Sequence, residues 1–352
     1  MGTHAVRSVD RVFDHLPRAR LATLPTPLEP IASPTGSGVR LWVKRDDLTG
    51  LGGGGNKARK LEFLCGDALS SSSGALVTVG AAQSNHCRMT AAAGARLGLE
   101  VHLVLSGDAP ADGLAPTGNQ LLSSMFGAQL HHTGAEESHW GELEIAREQL
   151  TEELGSQGLA PYSIPIGGST AVGALGYAAG FVELMDQCAE RDAIPAAVVV
   201  TSSSGGTHAG LLAGRAAWCA REGVDVADAP DVVAIGVAKG VVAGFPDVTA
   251  LADETLALMG VSATVDASGT EVDTRWIGED YAVPTDAGDD AIGWAASVGG
   301  LLLDRTYSGK GMSGLLGLVG EGRWSDGDDV VFVHTGGWPA LFCPDGAPRR
   351  AG

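Results

Sequence analysis

Ala196-Ala197-Val198-Val199-Val200-Thr201-Ser202-Ser203-Ser204-Gly205-Gly206-Thr207-His208-Ala209-Gly210 is an apolar run that ends in hydroxyls and glycines, then opens a helical pattern reaching Trp218. Three consecutive β-branched residues make Ala196–Ser202 a strand covered on both faces. Serines and glycines then mark a tight turn, and Thr207–Trp218 has helical spacing. The same order recurs along the chain. Strands are expected at Leu41–Lys44, Ala75–Ala81, Val101–Ser106, Gln129–Thr133, Tyr162–Ile166, Val232–Val237, Gly300–Leu303 and Val330–Thr335. Helices are expected near Lys57–Leu69, His86–Leu97, Gly118–Phe126, Trp140–Leu154, Gly173–Ala189, Asp286–Val298 and Gly311–Val319. Strands separated by helices of 10–15 residues imply right-handed βαβ units, hence an α/β fold with mostly parallel sheets. Residues 1–40, with Pro17, Pro25, Pro27, Pro30 and Pro34, read as irregular.

Composition narrows the function classes. The 352 residues carry 23 Lys and Arg against 42 Asp and Glu, a formal charge of −19. That balance argues against a nucleic-acid binder, which concentrates basic residues on one face. Hydrophobic residues make up 44% of the chain, enough for a large core despite 52 glycines and 16 prolines. No apolar run approaches the ~20 residues that span a bilayer, and the longest candidate, from Ile194 to Val200, is strand-length. No secretory leader is read at the N-terminus. Cys65, Cys87, Cys188, Cys219 and Cys343 are scattered and odd in number, the pattern of reduced thiols in a cytoplasmic protein.

Two motifs mislead. Gly50-Leu51-Gly52-Gly53-Gly54-Gly55 fits a dinucleotide fingerprint formally, yet Arg45-Asp46-Asp47-Leu48-Thr49 separates it from the preceding strand. Gly52 to Lys57 resembles a phosphate loop, but Asn56 occupies the second glycine's place and Ala58 replaces the metal-binding hydroxyl. A third reading suits the segment better. Lys57 lies where a glycine-rich backbone meets a helix start, with Arg45, Arg59 and Lys60 nearby, a field that disfavours its charged form. A neutral lysine condenses with carbonyls, an aldehyde cofactor included. The alternative is a solvated lysine in a basic cluster.

Other loops offer anion sites. Ser203, Ser204, Gly205, Gly206 and Thr207 precede a helix and suit a phosphate; without a Walker lysine, that phosphate belongs to a monophosphate cofactor. Gln83-Ser84-Asn85-His86 is a second cradle, of carboxylate size, with His86 either a base or a capping histidine. Tyr307-Ser308-Gly309-Lys310 and His334-Thr335-Gly336-Gly337-Trp338 lie at or beyond the carboxyl ends of parallel strands, where open α/β sheets hold ligands. His131, His132 and His139 lack a metal-ligand spacing, so no metal is expected. No G-x-S-x-G occurs.

A tethering lysine, a phosphate loop and a carboxylate loop together suggest pyridoxal 5'-phosphate acting on an amino acid. From Leu24-Pro25-Thr26-Pro27-Leu28 to Gly337-Trp338-Pro339, the chain resembles the D-cysteine desulfhydrase and 1-aminocyclopropane-1-carboxylate deaminase family of fold type II enzymes. Asn56-Lys57-Ala58-Arg59-Lys60-Leu61-Glu62-Phe63, Gln83-Ser84-Asn85-His86 and Gly206-Thr207-His208-Ala209-Gly210-Leu211 are the densest matches. The resemblance implies two open, mostly parallel twisted sheets covered by helices, with the cofactor in the cleft between domains. The larger domain would comprise 1–64 and 170–352, and the inserted smaller one 65–169. It implies a homodimer with no membrane or nucleic-acid partner.

It also implies roles for single residues. Lys57 matches the lysine that carries the cofactor and shuttles the Cα proton. Ser203 to Thr207 match the phosphate cup, and Asn85 the partner of the cofactor's 3′ oxygen. Ser84, Asn85 and His86 match the loop that grips the substrate carboxylate. Tyr307 packs on the cofactor ring, Tyr281 faces the substrate, and Thr335 meets the pyridine nitrogen. Ring-opening deaminases look different: Glu follows the tyrosine and Leu precedes Gly-Gly, where this chain has Ser308 and Thr335. A neutral hydroxyl makes a weaker electron sink, sufficient when sulfide leaves from Cβ. The expected reaction is therefore β-elimination from cysteine, most simply D-cysteine, to pyruvate, ammonia and sulfide. Departures are Ser203 and Ala282 in place of glycines, and Trp338 in place of a small residue, which would reshape the substrate pocket. His15-Leu16-Pro17-Arg18-Ala19-Arg20-Leu21 resembles members acting on cysteate, so sulfite release is a rival. Another is a biosynthetic lyase or deaminase acting on a different β-substituted amino acid.

Overall fold

The computed structural model describes residues 10–34, 36–111, 114–136, 139–191, 193, 195–238, 247–265, 270, 272–343 and 346–348; Ile194 lies outside them. After a helical turn at Asp10–Phe13 (α1), the strands are β1 Leu28–Ile31, β2 Arg40–Lys44, β3 Ala75–Gly80, β4 Glu100–Leu105, β5 Gln129–His132, β6 Pro161–Ile164, β7 Ala197–Ser202, β8 Asp231–Gly236, β9 Val272–Asp273 and β10 Asp329–Val333. They form two sheets, β1-β2-β10-β7-β8-β9 and β5-β4-β3-β6, parallel throughout except for the β1–β2 pair. The strands of the smaller sheet all come from 75–164. Those of the larger sheet flank that segment on both sides.

The helices are α2 Lys57–Ser70, α3 Asn85–Leu97, α4 Gly118–Met125, α5 Trp140–Ser156, α6 Ala171–Ala189, α7 Gly206–Glu222, α8 Val248–Met259, α9 Asp286–Gly299 and α10 Ser308–Gly320. α2 belongs to two cores at once. Its Ala58, Leu61 and Leu64 pack with Leu76 and Leu103 under the smaller sheet, while Phe63 packs with Phe13 and Phe181 in the larger. Although α2 carries Arg59, Lys60 and Glu62, these are buried with its apolar residues, so protein surrounds the helix on nearly every side. Close approach is possible because Gly176 on α6 has no side chain. A Cβ there would stand 2.3 Å from the Arg59 carbonyl oxygen.

Three local readings change. β1 lies in the proline-rich segment read as irregular. As an edge strand paired only with β2, it tolerates Pro30, whose missing N–H breaks no inner ladder. Gly300–Leu303 is not a strand. Leu301 and Leu303 are buried and Leu302 exposed, the strand alternation, yet the segment has no ladder partner. α8 was not anticipated, although Asp247 accepts the amides of Thr249 and Ala250 at its start and Gly260 ends it with left-handed φ. No helix among the described residues is long and apolar enough to cross a membrane.

Candidate active site

The carboxyl ends of β3, β7 and β10 meet at one cleft between the sheets, where Gly80 and Ala81, Thr201 and Ser202, and Thr335 and Gly336 line a cavity of about 760 Å³ counting its open mouth. The size suits a cofactor with a small substrate. Lys57 enters as the first residue of α2. Burial, and then the Arg88 guanidinium, lower the ammonium's pKa to about 8. Its Nζ donates to Asn56 Oδ1 at 3.1 Å, and Asn56 Nδ2 donates to Thr207 Oγ1 at 3.1 Å, so one amide couples the lysine to the phosphate loop. The Asn56 amide N–H is fixed by the Thr335 carbonyl at 3.0 Å.

The loop Ser203 to Thr207 leads into α7, whose start carries no side-chain cap. The first amides of any helix lack intrahelical acceptors, so this turn presents donors. Its backbone is packed as only glycine permits: a Cβ on Gly206 would lie 2.5 Å from Lys60 Nζ and 2.8 Å from Ser169 Oγ. Lys60 is fully buried, donates to the Gly167 carbonyl at 2.6 Å, and is pushed well below the ordinary lysine range by burial and by Lys57. It stands behind the loop, outside the cavity lining, as a second buried amine of lowered pKa. Its spacing, three residues after Lys57 on one helix, was the available signal.

Across the cleft, Ser84 caps α3, accepting the Cys87 amide at 3.2 Å. Asn85 Oδ1 accepts from Arg88 at 3.0 Å and from Asn119 Nδ2 at 3.0 Å, so its own Nδ2 remains for a ligand. His86 behaves differently from the expected carboxylate grip. Thr78 Oγ1 spends its proton on the Ile164 carbonyl (2.9 Å) and therefore accepts from His86 Nε2 (2.9 Å). This leaves Nδ1 a buried lone pair without a donor. Burial, with Lys57 and Lys60 nearby, holds the ring's pKa well below its ordinary value. A neutral ring with a bare lone pair cannot donate to a carboxylate, whereas the Ser84 hydroxyl and the amides at the start of α3 can.

Tyr281 and Tyr307 both line the cavity, and their hydroxyls hydrogen-bond each other. Asp304 fixes the Tyr307 turn by accepting the amides of Thr306, Tyr307 and Ser308 at 2.9–3.0 Å. Lys310 ties the Tyr281 loop to it, donating to the carbonyls of Ile277 (2.7 Å) and Asp280 (3.1 Å). Thr335 is on the lining as well. Two expected substrate contacts are not. The buried Ser308 hydroxyl lies 2.6 Å from the Asp304 carboxylate and 3.1 Å from the Gly336 carbonyl, inside the turn. Trp338 donates to the Gly53 carbonyl at 2.7 Å and packs edge-on against Phe342, so its bulk covers the glycine loop and leaves the pocket's shape alone. Trp140, which the sequence did not single out, does reach the lining. Among the described residues, no group of three or more His, Cys, Asp and Glu is placed to hold a metal ion.

A depressed lysine, an amide cup at a helix start and a second anion cradle define the class: an α/β enzyme built for a phosphorylated aldehyde and an amino acid. The donor set fits such a group, since the uncapped start of α7 and the amine of Lys57 line one cavity with Asn85, Tyr307 and Thr335. Residues 19–336 match the family described as pyridoxal-phosphate dependent enzyme, and the chain belongs to that family. A D-cysteine desulfhydrase of Salmonella choleraesuis (strain SC-B67) is 39% identical over 331 residues, covering 93% of this chain and 95% of the relative. A solved structure of an ACC deaminase homologue superposes with a TM-score of 0.81 at 32% identity, covering 96% of this chain and 97% of that one. A threonine deaminase from T.th. (TM-score 0.62, 18% identity, covering 95% and 98%) shares the fold.

Proposed function

We propose that the protein is a pyridoxal-phosphate-dependent carbon–sulfur lyase that converts D-cysteine to pyruvate, ammonia and sulfide. When bound, the cofactor supplies an aldehyde and an electron-withdrawing ring that acidifies the substrate's Cα–H. Lys57 would tether it, the Ser203 to Thr207 amides would hold its phosphate, and Asn85, Tyr307 and Thr335 would meet its ring. Freed by the incoming amine, Lys57 at a pKa of about 8 is basic enough to take the Cα proton near neutral pH and neutral often enough to do so. Ser84 and the first amides of α3 orient the substrate carboxylate. The coupled hydroxyls of Tyr281 and Tyr307 offer a proton route at the departing group.

The observation that carries the reading is Lys57, a lysine of lowered pKa facing the cleft beside the α7 cup. The 39% identical desulfhydrase directs the choice of substrate. The segment His15 to Leu21, whose likeness suggested cysteate, serves the fold: Arg18 pairs with Glu62 at 2.6 Å, and Glu62 accepts the Leu21 amide at 2.8 Å. Thr335 offers the cofactor a neutral hydroxyl, which favours expulsion of sulfide over ring opening. We further propose that residues 65–169 form the inserted domain, and that the protein is a cytoplasmic homodimer. Buried thiols at Cys65, Cys87, Cys188 and Cys219 support the compartment. An apolar surface at Met125 (71% exposed) and Phe342 (72%) supports association. The test is reconstituted protein offered both enantiomers of cysteine and cysteate. Sulfide with equimolar pyruvate, fastest from D-cysteine, is expected; no sulfide from either enantiomer of cysteine would overturn the reading.

A further inference from the structure

Trp140 opens α5 in the segment of the smaller sheet, while Tyr281 comes from the loop before α9. Their rings meet edge to face across the cleft with centroids 5.0 Å apart. Trp140 is packed beside Ala81 and Ile166 and lines the same cavity as Lys57. Its indole Nε1–H is buried and has no acceptor among the described residues. A buried donor left unpaired is costly, and native proteins retain one chiefly where a ligand completes it.

We propose that Trp140 is a specificity-determining residue whose indole N–H meets the substituent on the substrate's Cβ, selecting a thiol over a sulfonate. The inference rests on the lyase reading and deepens it. The carboxylate end of the substrate already has the Ser84 turn, and the phosphate has the α7 cup, so the donor beside Tyr281 is left to the third end. Apolar Ala81 and Ile166, with the indole N–H and two tyrosine hydroxyls already bonded to each other, suit sulfur, a soft and poorly hydrated acceptor. A sulfonate needs several strong donors or a cation. The only Lys or Arg among the described lining residues is Lys57, which is committed to the amine chemistry.

The experiment compares the wild-type holoenzyme with Trp140→Phe, which keeps an aromatic wall and removes the N–H. Both are assayed on cysteine, β-chloroalanine and cysteate of both hands. Chloride is a poor hydrogen-bond acceptor, so its substrate is the internal control. Trp140→Phe is expected to lower kcat/KM for D-cysteine by about three- to tenfold, the worth of one hydrogen bond, and for β-chloro-D-alanine by less than about twofold. Equal losses on both substrates would make Trp140 a packing residue and overturn the proposal, as would no loss on either. A wild-type preference for cysteate over cysteine would also overturn it. The function reading is judged separately, by wild-type sulfide release. If the preferred substrate proves to be L-cysteine, the D-cysteine assignment falls and the same variant ratio is read on the L pair.

Discussion

Lys57 and Arg59 stand two residues apart on α2 and live in opposite worlds. Arg59 points into a knot in which every charge is answered. It meets Asp46 at 2.8 and 2.9 Å and Glu183 at 2.8 and 3.0 Å, while Lys44 pairs with Glu183 and Tyr177 donates to Asp46 at 2.6 Å. Burial alone would raise the Asp46 pKa, but the Arg59 charge and hydrogen bonds outweigh it and hold the carboxyl below its ordinary value. On the cleft side, Lys57 has one amide partner, and His86 Nδ1 and Trp140 Nε1 have none among the described residues. Completed polar groups hold a fold together; open ones on residues that line a cavity can take a ligand.

The sharpest way to break this contrast is to exchange the two sides' behaviour. Lys57→Ala should cost at least about 10³-fold in turnover, the scale of removing a group that acts as both nucleophile and base, while the denaturation midpoint stays within error. A variant that still turns over, or one that unfolds, would erase the distinction. Capture of the cofactor by the apoenzyme should follow the neutral amine. With a pKa of about 8, about a tenth of the amine is neutral at pH 7, against about 1 in 3,000 for an ordinary lysine. The capture rate, followed by visible absorbance, should therefore rise with pH and level off above about 8. A rise continuing to pH 10 would place Lys57 among solvated lysines.

Arg59→Met should do the reverse. Leaving Asp46 and Glu183 buried without their partner costs about 3–5 kcal/mol of stability, read by chemical denaturation, while protein that remains folded keeps its substrate preference. The smallest effect concerns Ala282, beside Tyr281, which holds φ of +57° at a position where the family resemblance leads one to expect glycine. Ala282→Gly relieves about 1 kcal/mol of left-handed strain and returns part of it as unfolded-chain entropy, for a net gain of about 0.5 kcal/mol. A loss of stability would mean the methyl group packs usefully against its neighbours.

The legibility of this protein follows the range of its interactions. Runs such as Val198-Val199-Val200 and the turn after them announce a covered parallel strand and an anion-binding helix start, because period and turn chemistry are local. The irregular reading of Leu28–Ile31 failed because prolines forbid an inner strand but not an edge one, and only the sheet order says which it is. Lys60 is legible only as a neighbour of Lys57 and Arg88 not at all, because their places depend on segments far along the chain: the Gly167 carbonyl for one, Asn119 and the Gly54 carbonyl for the other. Trp338 was overvalued for the same reason, since its neighbours in sequence are cleft residues while its indole lies on Gly53.

The sequence by itself determined the α/β alternation, the family and the lysine at position 57, since each is written in local spacing and residue chemistry. Only the tertiary structure decided which polar atoms are answered and which are left open, because a hydrogen bond joins positions whose separation no local pattern encodes. His86 shows the difference: its place beside Asn85 is a fact of the chain, but its bare Nδ1 is set by Thr78 and the Ile164 carbonyl.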